Sequence, residues 1–209
     1  MLKDDLVLIG AGGHARSCID VIEQEGRFRI AGLVGVTQEV GSRVLNYDVI
    51  GTDAELGELA VRFKYALITL GQIASSEDRI RLFDLSVKAG FALPTIIAPS
   101  AYVSPLATIG AGTIVMHGAI INADAVVGRN CIINSRALIE HGSHVADHCH
   151  VSTGAILNGN TSIGIGSFIG SGATLKEGVS VGPRSLVGMG LSLRHDLSEN
   201  SLFLGVKNS

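Results

Sequence analysis

The chain has 209 residues, of which 46% are hydrophobic, enough for one sizeable core or two modest ones. Sixteen basic residues stand against nineteen acidic ones with no long basic run, which excludes an electrostatic footprint for nucleic acid. No apolar run approaches the roughly 20 residues that span a bilayer, and the opening Met1-Leu2-Lys3-Asp4-Asp5 lacks the apolar region of a secretion signal, so the expectation is a cytoplasmic protein without membrane contact.

In chain order, Leu6-Val7-Leu8-Ile9 predicts a short buried strand. Gly10-Ala11-Gly12-Gly13-His14-Ala15 follows as a turn, and an amphipathic helix is expected over 17–25, with Cys18, Ile19, Val21 and Ile22 apolar. Glycines between a strand and a helix let backbone N–H groups approach a phosphate closely, because the helix start carries unsatisfied donors and partial positive charge. A tight connection that binds nothing gives the same local pattern. Further strands are predicted over 30–34 and 66–70, with helices near 53–63 and over 76–89. Together they describe a small Rossmann-like domain over 1–95. It is too short for a full dinucleotide-binding sheet, and its second strand ends in Gly35 and Val36 rather than an acidic residue, which disfavours NAD.

From Val103 to Leu193 every sixth residue is aliphatic, and the row two positions earlier, from Ala107 to Ser185, is almost wholly small. Helices repeat near 3.6 and half-buried strands near 2, so a strict period of six predicts a parallel β-helix over 96–209, with three repeats per triangular coil and a C-terminal cap. Gly or Asn often follows the aliphatic residue, as at Gly110, Asn122, Gly128 and Gly170, where a corner is expected to need permissive torsions. Residue i then stacks on i+18 at about 4.8 Å. Cys131 and Cys149 stack in the small row, and buried reduced thiols are expected rather than a disulfide. Flat faces that pack about a threefold axis predict a homotrimer.

His141, His144, His148 and His150 fall within ten residues and invite a metal reading. Six-residue sides place His144 and His150 on successive faces and His141 and His148 in other rows, so no metal is expected. His117, His144 and His148 read as surface or interface residues, and His195 as part of the cap.

A short domain opening on Gly-Ala-Gly-Gly-His-Ala, joined to a β-helix containing Ile133-Asn134-Ser135-Arg136-Ala137-Leu138-Ile139-Glu140-His141, resembles the NeuD/PglD family of bacterial sugar acetyltransferases over nearly the whole chain. The resemblance implies a left-handed β-helix, acetyl-CoA as co-substrate in a cleft between subunits, and a nucleotide-linked sugar held by Gly12, Gly13, His14 and Gly71. It further implies that His141 is the catalytic base and that His150, Ser171 and Met189 contact CoA; Glu140 precedes the base and is a candidate orienting partner, although alternation along the coil is expected to point the two side chains differently. An imidazole with an ordinary pKa near 6.5 suits the proton removal that acyl transfer from a thioester requires. Two positions depart from the family: Gly142 stands where an acidic residue often follows the base, and Gly35-Val36 replace an acidic pair that helps hold the nucleotide. Three readings remain open: N-acetylation of a nucleotide-linked 4-amino-sugar, O-acetylation of sialic acid or a related sugar, and a non-catalytic scaffold.

Overall fold

The computed structural model describes residues 3–205. Its front domain is a five-stranded sheet ordered β3-β4-β2-β1-β5, from β1 (Asp4–Ile9), β2 (Phe28–Gly35), β3 (Arg43–Val44), β4 (Tyr47–Thr52) and β5 (Tyr65–Ile68), parallel except for the β3-β4 hairpin. Central β1 is covered on both faces, which is why Leu6 to Ile9 form an unbroken apolar run. Leu6 and Leu8 pack with Cys18, Ile19 and Ile22 of α1 (Gly13–Glu25). Val7 and Ile9 pack with Leu56 and Leu59 of α2 (Leu56–Arg62) and with Leu82 and Phe83 of α3 (Glu77–Ala89).

Two local expectations shift. Helix α1 begins at Gly13, four residues earlier than its apolar pattern, because Gly12 in extended conformation serves as its N-cap. The β3-β4 hairpin escapes the sequence because its strands are short and Leu45 takes the left-handed turn position, at φ 53°, where glycine or asparagine is usual.

The second half is a left-handed parallel β-helix. Two-residue strands stack at i and i+18, as in Val103, Ile121, Ile139 and Leu157, and build three faces. The first runs from Tyr102–Val103 to Ser192–Leu193, the second from Thr108–Ile109 to Ser180–Val181, and the third from Ile96–Ile97 to Leu202–Phe203. The aliphatic row from Val115 to Leu193 and its small companions, Ala119, Ala125, Cys131, Ala137 and Cys149 among them, form one buried core. Both cysteines are free thiols, directed at the carbonyl oxygens of Ala146 (3.2 Å) and Gly164 (3.1 Å).

The corner expectation is corrected. Left-handed torsions fall three residues after the inward aliphatic, at Gly112, Asp124, Asn130, Arg136, Gly142, His148 and Asn160. Glycines immediately after it serve close approach instead: a Cβ on Gly110 would lie 2.6 Å from the carbonyl carbon of Gly128, and one on Gly170 would lie 2.5 Å from the amide nitrogen of Met189.

The outward rows give the faces different surroundings. On the third, Ile96, Ile114 and Ile132 share one core with α1, each contributing roughly 2 kcal/mol of burial. Higher in the same column stand His150, Phe168 and Leu186. On the first, Tyr102, Ile120, Leu138 and Ile156 form a partly uncovered apolar row. Among the described residues no helix is long and apolar enough to cross a membrane.

Candidate active site

Where the front domain stops covering the third face, a groove of about 730 Å³ opens. Five of the nine expected site residues line it: His14 from the first turn of α1, Gly71 from the loop after β5, His150 from the third face, and Ser171 and Met189 from the edge beyond that face. Phe168 and Asn134 complete the wall around His150, the Phe168 ring meeting the imidazole edge-on at 5.1 Å.

His150 is buried and bonded at both nitrogens. A backbone carbonyl only accepts, so Nδ1 carries the proton and donates to the Gln72 oxygen at 2.6 Å, leaving Nε2 to accept from the Asn134 amide at 3.1 Å. Burial pushes this imidazole down to about 4, partly opposed by the bond to Gln72 and aided by the charge of Arg79. His14, its ring centroid 6.4 Å from that of His150, is pushed down to about 3 by burial, then by Arg79 and His150. Both are neutral near pH 7. The buried Nε2 of His14 and Oε1 of Gln72 have no hydrogen-bond partner among the described residues, leaving polar valence at the groove for a ligand.

Arg79 holds this corner together. Fully buried, it donates through Nη1 to the carbonyls of Ile68 (2.9 Å) and Leu70 (2.7 Å) at the end of β5, and through Nε to that of Asn130 (3.2 Å) in the prism. Burial lowers its pKa to about 10, which leaves it charged near neutrality. Sequence reasoning missed Arg79, Gln72, Asn134 and Phe168. The one available signal was Phe168, an aromatic in an outward row of the repeat.

The glycine turn faces a separate crevice. Gly12 lines a cavity of about 380 Å³ at the carboxyl ends of β1 and β2, beside Gly35, Val36 and Glu39. A Cβ on Gly12 or Gly13 would meet nothing beyond its immediate chain neighbours within 4 Å among the described residues, so the space over the start of α1 is open. The carboxylate missing at 35–36 is supplied from farther on. Glu39 Oε2 accepts the Val36 N–H at 3.0 Å and lies 2.5 Å from where a Cβ on residue 35 would stand, so its place depends on Gly35.

His141 lies outside both cavities. It is exposed on the edge after the first-face strand Leu138–Ile139, its ring over Gly159 one coil up, where a Cβ would come within 2.7 Å of Cε1. Glu140 points the other way along the prism. Its Oε2 accepts from the Asn122 side chain one coil down (2.9 Å) and from the His141 backbone N–H (3.3 Å). Within one chain the carboxylate makes no hydrogen bond to the imidazole.

The remaining histidines are scattered. His144 is exposed on the second face, while His148 is buried against Phe83, with Nδ1 2.9 Å from Asn130 Nδ2. His117 bridges Asp20 (2.9 Å) and Ser100 (3.1 Å) across the domain seam. Among the described residues no group of three or more His, Cys, Asp or Glu is arranged to hold a metal.

Residues 5–81 match the model of the PglD N-terminal domain, and residues 160–194 that of the hexapeptide repeat of succinyl-transferase. The chain resembles a perosamine N-acetyltransferase from Caulobacter crescentus, seen as a histidine-to-asparagine variant in complex with CoA and GDP-perosamine. Identity is 32% and the TM-score 0.91, covering 97% of this chain and 94% of that one. It also resembles the acetyltransferase domain of PglB from Neisseria gonorrhoeae in complex with acetyl coenzyme A, at 30% identity and TM-score 0.87, covering 96% of each chain. WeeI from Acinetobacter baumannii shares the fold at 19% identity, with TM-score 0.85 and 97% of each chain covered. No match is found among curated protein sequences.

Proposed function

The chain belongs to the NeuD/PglD-like family of bacterial sugar acetyltransferases, and on that premise we propose that it moves the acetyl group of acetyl-CoA onto the amine of a nucleotide-linked 4-amino-sugar, with His141 as general base. The observation that carries this reading is the division of the site. His14, Gly71, His150, Ser171 and Met189 share one groove, while the exposed imidazole of His141 stands on a different edge. Packing three copies through the apolar first-face row of Tyr102, Ile120, Leu138 and Ile156 would bring His141 of one copy to the groove of the next, which is the case for a homotrimer.

In the reaction the sugar nitrogen attacks the thioester carbonyl, His141 takes the proton the nitrogen loses, and the C–S bond breaks to release CoA. No covalent enzyme intermediate is needed. His14 and His150 line the groove as neutral rings, so an acceptor amine meets no positive charge from them. Gly12 and Gly13 lie at the helix start where the substrate's phosphates would meet free N–H groups, with the Glu39 carboxylate beside them to accept from a nucleobase. The perosamine enzyme is complexed with GDP-perosamine, an acceptor of the proposed class.

One observation favours O-acetylation of sialic acid instead: Gly142 leaves the base without an acidic neighbour on its C-terminal side. Incubation with acetyl-CoA and a panel of UDP-, dTDP- and GDP-4-amino-sugars, beside CMP-sialic and free sialic acid, separates the readings through release of CoA thiol. Release with a nucleotide-linked amino-sugar is expected. Release with sialic acid alone selects O-acetylation, and no release with any acceptor leaves the scaffold.

A further inference from the structure

The buried charge of Arg79 is costly, and the reaction as described gives it no task. Its guanidinium lies in the interior, and every side-chain hydrogen bond it makes among the described residues goes to a carbonyl rather than a carboxylate. It also stands in the first turn of α3, where the helix dipole disfavours a cation. Its Nη2 has no partner among the described residues. A methionine or leucine would fill the same space without these penalties. What an apolar side chain lacks is donors, and Arg79 turns its own toward the loop after β5 and the prism beside it.

That loop needs fastening. β5 is the outermost strand of its sheet, so no further strand bonds the chain as it leaves. Thr69 ties the start of the loop to β1 and its turn, its N–H donating to the Ile9 carbonyl (2.8 Å) and its hydroxyl to the Gly10 carbonyl (2.7 Å). Arg79 binds the carbonyls on either side of Thr69, those of Ile68 and Leu70, and joins both to Asn130 of the prism. Two residues beyond Leu70, the Gln72 carbonyl accepts from Nδ1 of His150, while the Gln72 side chain donates to the carbonyl of Gly166 (3.3 Å). Two residues of chain reach no more than about 7 Å, so the place of the Leu70 carbonyl limits the place of the Gln72 carbonyl.

The consequence is chemical. With that carbonyl in position, Nδ1 of His150 holds the proton, and Nε2 presents its lone pair to Asn134 in the wall of the groove. With the loop withdrawn, Nδ1 loses its acceptor, the proton is free to sit on Nε2, and this part of the wall turns from acceptor to donor.

We propose that Arg79 is a positioning residue, which sets the tautomer and orientation of His150 by fixing the loop that carries Gln72. Its effect on turnover rests on the acetyl-transfer reading above, whereas its effect on the ring does not.

Two measurements on the intact protein test this. In nitrogen NMR of protein labelled at histidine, the His150 signal, assigned by its loss in His150→Asn, should show the proton on Nδ1 in the wild type. Arg79→Met should show a mixture of the two tautomers. In acetyl transfer, Arg79→Met should raise KM for the groove's ligands about tenfold and leave kcat within about threefold, since His141 stands on another edge. A merely structural role gives a different pattern: a smaller folded fraction lowers apparent kcat, while KM and the tautomer stay as in the wild type. That pattern, or a wild-type His150 with its proton on Nε2, overturns the proposal. Arg79→Lys keeps the charge but not the planar fork that bridges loop and prism, so it should show the same changes at smaller size. If Arg79→Met does not fold, Arg79→Lys decides, and wild-type tautomer and KM in that variant overturn the proposal. A wild type without acetyl transfer overturns the functional reading, and the tautomer still decides the role of Arg79.

Discussion

The imidazole of His150 donates to the carbonyl oxygen of Gln72 at 2.6 Å, and this bond stitches the third face of the prism to the loop that follows β5. The two residues are 78 positions apart, yet each holds the other in the groove.

Burial of that imidazole makes stability depend on pH. His150 is held neutral, down to about 4, against an ordinary histidine near 6.5. As pH falls below about 6.5 the unfolded chain takes up a proton that the folded chain refuses. Stability is therefore complete above that value and is lost progressively toward pH 4, by about 1 kcal/mol per pH unit at the steepest. His14, down to about 3, adds in the same direction. Melting temperatures between pH 7 and 4.5 should fall, with a shallower slope in His150→Asn. An identical slope in the variant would show that the dependence has another source.

His141 is exposed and its ring makes no hydrogen bond among the described residues, so removing it should leave the fold alone. His141→Ala is expected to lower kcat by about 10²- to 10⁴-fold with an unchanged melting temperature. Gly159→Ala offers a gentler probe, because the added methyl occupies the space against which the ring lies. It should displace the imidazole and cost about tenfold in kcat with little change in KM for either substrate. Near-normal turnover in His141→Ala would remove the general base.

Restoring the acidic neighbour of the base is not a simple exchange. Gly142 has φ 64°, and a Cβ there would collide with Asn160 Oδ1. The torsion alone is tolerable, since Asp124 one coil down adopts φ 58°. Gly142→Asp should therefore destabilise by about 1 to 2 kcal/mol, chiefly through the clash, and Asn160→Gly in the same chain should recover most of it. Thermal unfolding of the single and double variants measures this, and no recovery in the double would place the cost in the backbone.

At the front domain, Gly13→Asp adds a Cβ that would meet nothing within 4 Å among the described residues outside its own turn of helix. Folding should be nearly unaffected, while affinity for a nucleotide-linked sugar should fall at least tenfold through repulsion between anions at the helix start. Unchanged affinity by titration would mean that the turn is only a connection.

The prism was legible because its rule is written in every repeat: Val115 through Leu193 recur at six and are all buried. The strand, turn and helix around Gly12 were legible for a similar reason, being contiguous. What escaped depends on contacts between distant segments. Arg79 reads as one more polar residue on α3 until its bonds to Ile68, Leu70 and Asn130 are seen. Gln72 acts through its backbone carbonyl, which no side-chain pattern reveals. Glu39 lies four residues beyond the strand end where an acidic residue is usual, and only folding of the segment returns it there. The corner torsions were misplaced because two demands, close packing at Gly110 and left-handed backbone at Gly112, both select glycine in sequence.

The eighteen-residue register has a consequence for how such a chain can change length. A six-residue insertion between His150 and Ser171 would leave every later strand well formed but turn it by one side of the triangle, carrying Ser171 and Met189 away from His150. An eighteen-residue insertion would keep every column and simply lift the upper positions by one storey. The spacing between these groups is therefore quantised, and evolution can lengthen or shorten this cleft in whole coils while smaller steps scramble it.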